Sequence, residues 1–86
     1  MSRHLFTVED TFTIRGRGTI LVPGIVPEGD ERFRIGDALR LRRPDGSDVE
    51  ATIDGIECFT PPHGTYPIVV RLPKSDVPLG TEVWSA

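Results

Sequence analysis

Apolar and polar side chains alternate along much of this chain, which is the pattern of short strands with one buried face. Four apolar residues near the start share one parity: Phe6, Val8, Phe12 and Ile14. Threonines and a glutamate occupy most of the other parity. A period of two is typical of a half-buried β-strand. The pattern therefore predicts that Phe12 and Ile14 point toward the core together with Phe6 and Val8.

Residues 15–18, Arg-Gly-Arg-Gly, connect this strand to a second apolar run over residues 19–22. Glycine adopts the positive φ that a tight reversal requires, so Gly16 and Gly18 suit a turn. Arg15 and Arg17 keep the tip in solvent, and a phosphate contact is their alternative role. The segment predicts a β-hairpin.

Further short strands follow, separated by turns rich in glycine, proline and aspartate. The parity of the apolar residues changes at Asp54-Gly55, which predicts a β-bulge. After the bulge, Ile56 and Cys58 are expected to point inward and Glu57 outward. Pro23 lacks an amide hydrogen, so its strand should be an edge strand or locally broken.

The chain shows no run of ten residues with helical spacing and caps. About six short strands in 86 residues predict an all-β fold. We expect a small, six-stranded antiparallel barrel that is closed or nearly closed, because closure removes exposed strand edges. Residues 1–86 are interpreted as a single domain of this kind.

The net charge of −3 is distributed unevenly. Residues 1–43 contain eight arginines and six acidic residues, whereas residues 44–86 contain two basic and seven acidic residues. Proteins that bind nucleic acid on their own usually have a net basic surface. The composition therefore disfavours broad electrostatic affinity for nucleic acid and allows only a small local basic patch.

Composition also bears on location and chemistry. Cys58 is the single cysteine, no apolar run approaches membrane-spanning length, and the first residues lack the apolar segment of a secretory signal. We therefore expect a cytoplasmic protein without membrane association. His4 and His63 are distant in sequence, and Cys58 is interpreted as a small core residue, so we expect no metal site and no catalytic residue.

Four segments resemble, in order, the second domain of translational GTPases, the family of elongation factor Tu. The first is residues 8–20, which contain Arg-Gly-Arg-Gly-Thr-Ile, and the second is Arg-Ile-Gly-Asp at 34–37. The third is Ile-Asp-Gly-Ile-Glu-Cys-Phe at 53–59, and the last is the closing strand at 77–83. The resemblance implies the β-barrel of that domain over nearly the whole chain.

In that family the barrel supports the GTPase domain and helps to hold the aminoacylated 3′ end of tRNA. The resemblance implies one set of residues near the aminoacyl group: Glu9, Asp10 and Phe12. It implies another set around the terminal adenosine: Ile14, Ile20, Glu57 and Phe59. Apolar walls suit the face of a base, and a carboxylate accepts hydrogen bonds from it.

The chain departs from the family in having no Gly-x-x-x-x-Gly-Lys-Ser/Thr nucleotide loop. We therefore expect neither hydrolysis nor tight binding of GTP, no cofactor and no enzymatic activity. Structural roles also suit individual residues of the site. Asp10 can bond to nearby turn amides, and Glu57 can be a solvated surface residue.

Two classes of function remain open. The chain is either a translation-factor-like binding module that contacts tRNA acceptor ends, the ribosome or a translation factor, or a protein–protein adaptor that retains the barrel without binding RNA. The acidic balance favours the adaptor, whereas Glu9, Asp10, Phe12 and Glu57 favour the tRNA-binding module.

Overall fold

The computed structural model describes residues 2–57 and 64–86, and short strands account for nearly all of their regular structure. These described residues form eight strands: β1 (His4–Thr7), β2 (Asp10–Ile14), β3 (Gly18–Ile25), β4 (Ala38–Arg42), β5 (Asp48–Thr52), β6 (Gly55–Ile56), β7 (Tyr66–Val70) and β8 (Glu82–Ser85). The single turn of 3₁₀ helix, η1, spans Lys74–Asp76, and no helix in the described ranges could cross a membrane. The predicted all-β class is confirmed.

The strands form two four-stranded antiparallel sheets, with the orders β1-β8-β4-β5 and β2-β3-β7-β6. The predicted count of six strands differs from the eight that are observed in the described part of the chain. The reason is that two of the predicted strands each pass from one sheet to the other and are divided at the crossing. The pairing within the described residues gives two open sheets, not one closed barrel.

The chain crosses between the sheets at two short connections, which we call the corners. At the first corner the Val8 amide donates to Thr81 O at 2.8 Å, and the next amide, of Glu9, donates to Val22 O at 2.8 Å. Thr81 directly precedes β8 of one sheet, whereas Val22 lies in β3 of the other. The backbone therefore changes its bonding partner from one sheet to the other between two consecutive residues. The second corner repeats this arrangement.

At that second corner the Ile53 amide donates to Asp37 O at 2.9 Å, and the Asp54 amide donates to Val69 O at 2.7 Å. The β-bulge predicted at Asp54-Gly55 is therefore a crossing between sheets. Ile56 packs against the core, as the predicted change of phase required. Cys58 lies outside the described residues.

The core lies between the two sheets and is almost entirely aliphatic. Its members are Leu5, Phe6, Val8, Leu21, Ile25, Leu39, Leu41, Ile53, Ile68, Val70, Val77 and Val83. Phe6 and Val8 are buried as predicted, but Phe12 is 52% exposed. The alternation of inward and outward side chains changes phase at the first corner, so that Thr11, paired with Leu21, points inward instead of Phe12.

Strand β3 is irregular at Pro23, as its missing amide hydrogen predicts. The pairing of β3 with β7 shifts register between Leu21 and Ile25. Gly24 lies so close to the backbone of Tyr66 and Pro67 that a side chain would overlap it. At this shift in register, the backbone of β3 therefore packs directly against the backbone of β7.

Arg3 fastens the start of the chain to the loop that follows β3. Its Nε donates to Glu31 Oε2 at 2.9 Å, and its Nη2 donates to Val26 O at 3.3 Å. The hydrogen bond from Arg3, together with the amide of Glu28, lowers the pKa of the Glu31 carboxyl. This contact stabilises the folded state only while Glu31 is ionised.

We expect Glu31→Gln to destabilise the protein at neutral pH and to have a smaller effect in acid. Because the folded-state pKa of Glu31 is lowered, its contribution is complete above the ordinary glutamate range and is lost as the pH falls through the folded value. Denaturation midpoints of both proteins across this range provide the measurement. A difference that stays constant with pH would contradict the expectation.

We expect Gly18→Ala to be more destabilising than Gly16→Ala. A Cβ at Gly18 would overlap the Val70 carbonyl, and φ there is 129°. At Gly16 φ is 77°, and a Cβ there would have no atom within 4 Å apart from those of the glycine and its two chain neighbours. The backbone conformation alone costs roughly 1–3 kcal/mol at such positions, and only Gly18 adds the overlap. Urea unfolding of the two variants tests this, and equal losses would show that the close approach is unimportant.

Candidate functional site

The outer face of the β2-β3-β7-β6 sheet carries a row of residues across all four strands. Phe12 pairs with Ile20, Ile20 pairs with Val69, and Val69 pairs with Gly55. Cross-strand partners project from the same face of a sheet. Leu21 belongs to the core and projects from the opposite face. We call Phe12, Ile20, Val69 and Gly55 the outer row.

The outer row presents an apolar surface that is partly open to solvent. Phe12 is 52% exposed, Ile20 is half-buried, and Val69 is fully buried. An exposed phenylalanine beside branched aliphatic side chains is a surface on which a flat ring or an apolar side chain can lie.

Gly55 leaves room at the end of the row for a basic side chain. A terminal nitrogen of Arg17 lies 3.1 Å from the position that a Cβ at Gly55 would occupy. The guanidinium of Arg17 therefore extends from the hairpin across the face toward β6. This brings a positive charge beside Val69.

Polar groups flank the outer row. Asp10 pairs with Val22, one step from Phe12 on the same face. The Glu57 amide donates to Pro67 O at 2.8 Å, and Glu57 has the parity of Gly55 because Ile56 between them points to the core. The Asp10 carboxylate thus lies on β2, one edge strand of the sheet, and the Glu57 carboxylate lies just beyond the end of β6, the other edge strand.

The structure brings most of the predicted site residues to this face. Those on or beside it are Asp10, Phe12, Ile14, Ile20 and Glu57. Glu9 lies at the first corner with an exposed side chain, and Phe59 falls outside the described residues. Asp10 also makes the local bond that its structural role requires, since its Oδ1 accepts the Thr11 amide at 2.8 Å.

The sequence did not predict that Val69 belongs to the site, or that the Arg17 guanidinium extends to Gly55. A signal for Val69 was present, because the run Tyr66–Val70 is apolar at both parities, which indicates a strand covered on both faces. No sequence signal placed Arg17 over Gly55. That contact depends on the pairing of β6 with β7, which sets two distant segments side by side.

The outer face of the other sheet carries a second aromatic cluster whose polar groups are engaged internally. Trp84 Nε1 donates to Glu82 Oε1 at 3.0 Å, and its ring lies 5.3 Å from that of His4. The guanidinium carbon of Arg42 is 5.8 Å from the Trp84 ring, while its Nε is 3.3 Å from Asp48 Oδ1. This cluster is suited to stabilising its own sheet, so the face bearing the outer row is the stronger candidate site.

In residues 2–57 and 64–86 there is no group of three or more histidine, cysteine, aspartate or glutamate side chains placed to hold a metal ion. No protein-family model matches the chain, and no solved structure matches it significantly. The likeness to translational GTPases therefore rests on the sequence motifs, and the function is argued from the site.

We expect Phe12→Ala to change the free energy of unfolding by no more than about 1 kcal/mol, as is usual at half-exposed positions outside the core. Leu21→Ala, at a fully buried position of the adjacent strand, should cost roughly 2–5 kcal/mol. Chemical denaturation of both variants measures the contrast. A loss at Phe12 as large as that at Leu21 would show that the ring is part of the core.

Proposed function

We propose that this chain is a non-enzymatic binding module whose outer β2-β3-β7-β6 face holds the aminoacylated 3′ end of tRNA. One observation carries the proposal: the sheet register sets Phe12 beside Ile20, with Asp10 and Glu57 at the two edges of the same face. The resemblance to translational GTPases assigns the same residues to this task. The proposed setting is the cytoplasm, in contact with tRNA or another translation component.

The chemistry of the ligand suits this arrangement. A terminal adenosine offers a flat base for Phe12 and Ile20, and the ribose hydroxyl that is not esterified can donate to the Glu57 carboxylate. An aminoacyl ester carries a cationic amino group, which carboxylates attract. Glu9 and Asp10 lie together at the start of β2, where they can meet that group.

The proposal extends to the barrel that the resemblance implies. If β1–β2 and β5–β6 are each counted as one bent strand, the two sheets combine into six strands in a cyclic order: β1/β2, β8, β4, β5/β6, β7 and β3. The hydrogen bonds at the corners support this reading, because backbone bonding continues from one sheet to the next. The six-stranded, nearly closed barrel is thus a proposal about how the sheets are joined.

The alternative is a protein–protein adaptor that uses the same surface. It is favoured by the net charge of −3 and by the 52% exposure of Phe12, which is the kind of aromatic anchor that protein interfaces bury. The two readings differ in whether the aminoacylated RNA end is bound.

We expect Glu57→Ala to weaken the binding of aminoacyl-tRNA by roughly tenfold or more, the usual effect of removing a hydrogen bond to a charged group. Its free energy of unfolding should stay within about 0.5 kcal/mol of the parent. Titration monitored by fluorescence anisotropy, with deacylated tRNA in parallel, measures the binding.

Glu50→Ala is the matched control, since Glu50 lies on β5 in the other sheet with an 83% exposed side chain. It should bind aminoacyl-tRNA like the parent. If the parent protein shows no binding at modest salt, the tRNA proposal is wrong and the adaptor reading replaces it.

A further inference from the structure

A groove beside the outer face concentrates basic side chains. It lies between the β2–β3 hairpin tip and the segment after β7, has a volume of about 530 Å³, and is lined in part by Arg15, Arg17, Arg71 and Lys74. The whole chain contains ten lysines and arginines and has a net charge of −3. Four of its cations around one groove therefore form a local exception to an acidic protein.

Within residues 2–57 and 64–86, most of this charge is not neutralised by ion pairs. Arg71 Nε lies 3.0 Å from Asp54 Oδ1. The ion pairs among the described residues include none of Arg15, Arg17 and Lys74. Like charges around one concavity repel each other and raise the local concentration of anions. The groove is thus electrostatically suited to an anionic ligand.

Specific backbone contacts build the groove. The turn closes where the Arg17 amide donates to Ile14 O at 3.0 Å, and the Thr19 hydroxyl donates to Leu72 O at 2.7 Å. The second bond ties the hairpin to the segment after β7, and Gly18 permits the close approach to Val70. The cations of two distant segments are therefore held on opposite sides of one space.

The groove is continuous with the candidate site. Ile14 lines the groove and also lies one step along the face from Phe12, while Arg17 extends from the groove to Gly55. A strand whose terminal base lay on Phe12 and Ile20 would therefore lead directly into the basic groove. Phosphates are the anions that such a strand carries.

We propose that this groove binds the phosphodiester backbone of a single-stranded RNA end whose last base lies on the outer row. Arg15, Arg17 and Lys74 supply the contacts, which position the strand without reading its sequence. The identity of the strand rests on the proposed function, whereas the preference for phosphates rests on the groove alone.

The test uses a short abasic phosphodiester oligomer, which has phosphates and no base. Added to ¹⁵N-labelled protein, it should shift the amide resonances of residues 15–19 and of Arg71, Leu72 and Lys74, and leave those of the other sheet unchanged. Binding should weaken with salt, and the double change Arg15→Ala/Lys74→Ala should reduce the slope of log K against log salt by roughly 1.4, because each of the two lost phosphate contacts contributes about 0.7.

The matched control is Arg32→Ala/Arg34→Ala, which removes two exposed arginines from the loop before β4 and should leave the slope unchanged. Absence of shifts at the hairpin, or an equal slope in the two double variants, would overturn the proposal. If the oligomer binds in the groove but Glu57→Ala binds aminoacyl-tRNA as tightly as the parent does, the phosphate-binding groove is supported and the proposed tRNA function is wrong.

Discussion

The hydrogen bonds at the two corners determine how the rest of this molecule is arranged. At each corner, consecutive amides donate to opposite sides of the structure: Val8 to Thr81 and Glu9 to Val22, then Ile53 to Asp37 and Asp54 to Val69. Buried backbone groups must be paired, so these bonds hold the crossing of the chain at fixed positions. The aliphatic core is enclosed between the two sheets that the corners connect.

The corners also decide which side chains face solvent. Beyond the first corner Thr11 faces the core and Phe12 faces outward, where it meets Ile20. Beyond the second corner Ile56 packs inward and Glu57 follows it on the outer side. The apolar surface and its flanking carboxylates therefore arise from the same geometric constraint that closes the core.

The outer row and the basic groove have complementary chemical properties on adjoining surfaces. One offers an apolar surface with Phe12 exposed, and the other offers three cations that form no ion pair within the described part of the chain. Arg17 and Ile14 belong to the boundary between them. A ligand with a flat apolar end and a charged backbone uses both surfaces, whereas a purely apolar partner uses only the first.

The amino-acid sequence predicted the all-β class, the hairpin at residues 15–18, the irregularity at Pro23 and the inward position of Ile56, because local alternation and turn chemistry act over a few residues. It also pointed to Phe12, Ile20 and Glu57. The folded structure was needed to show that Phe12 faces outward, that two predicted strands are each divided between sheets, and that Arg17 reaches Gly55. These outcomes depend on strand pairing between segments far apart in the chain. A local pattern of polar and apolar residues does not specify the register of such pairings.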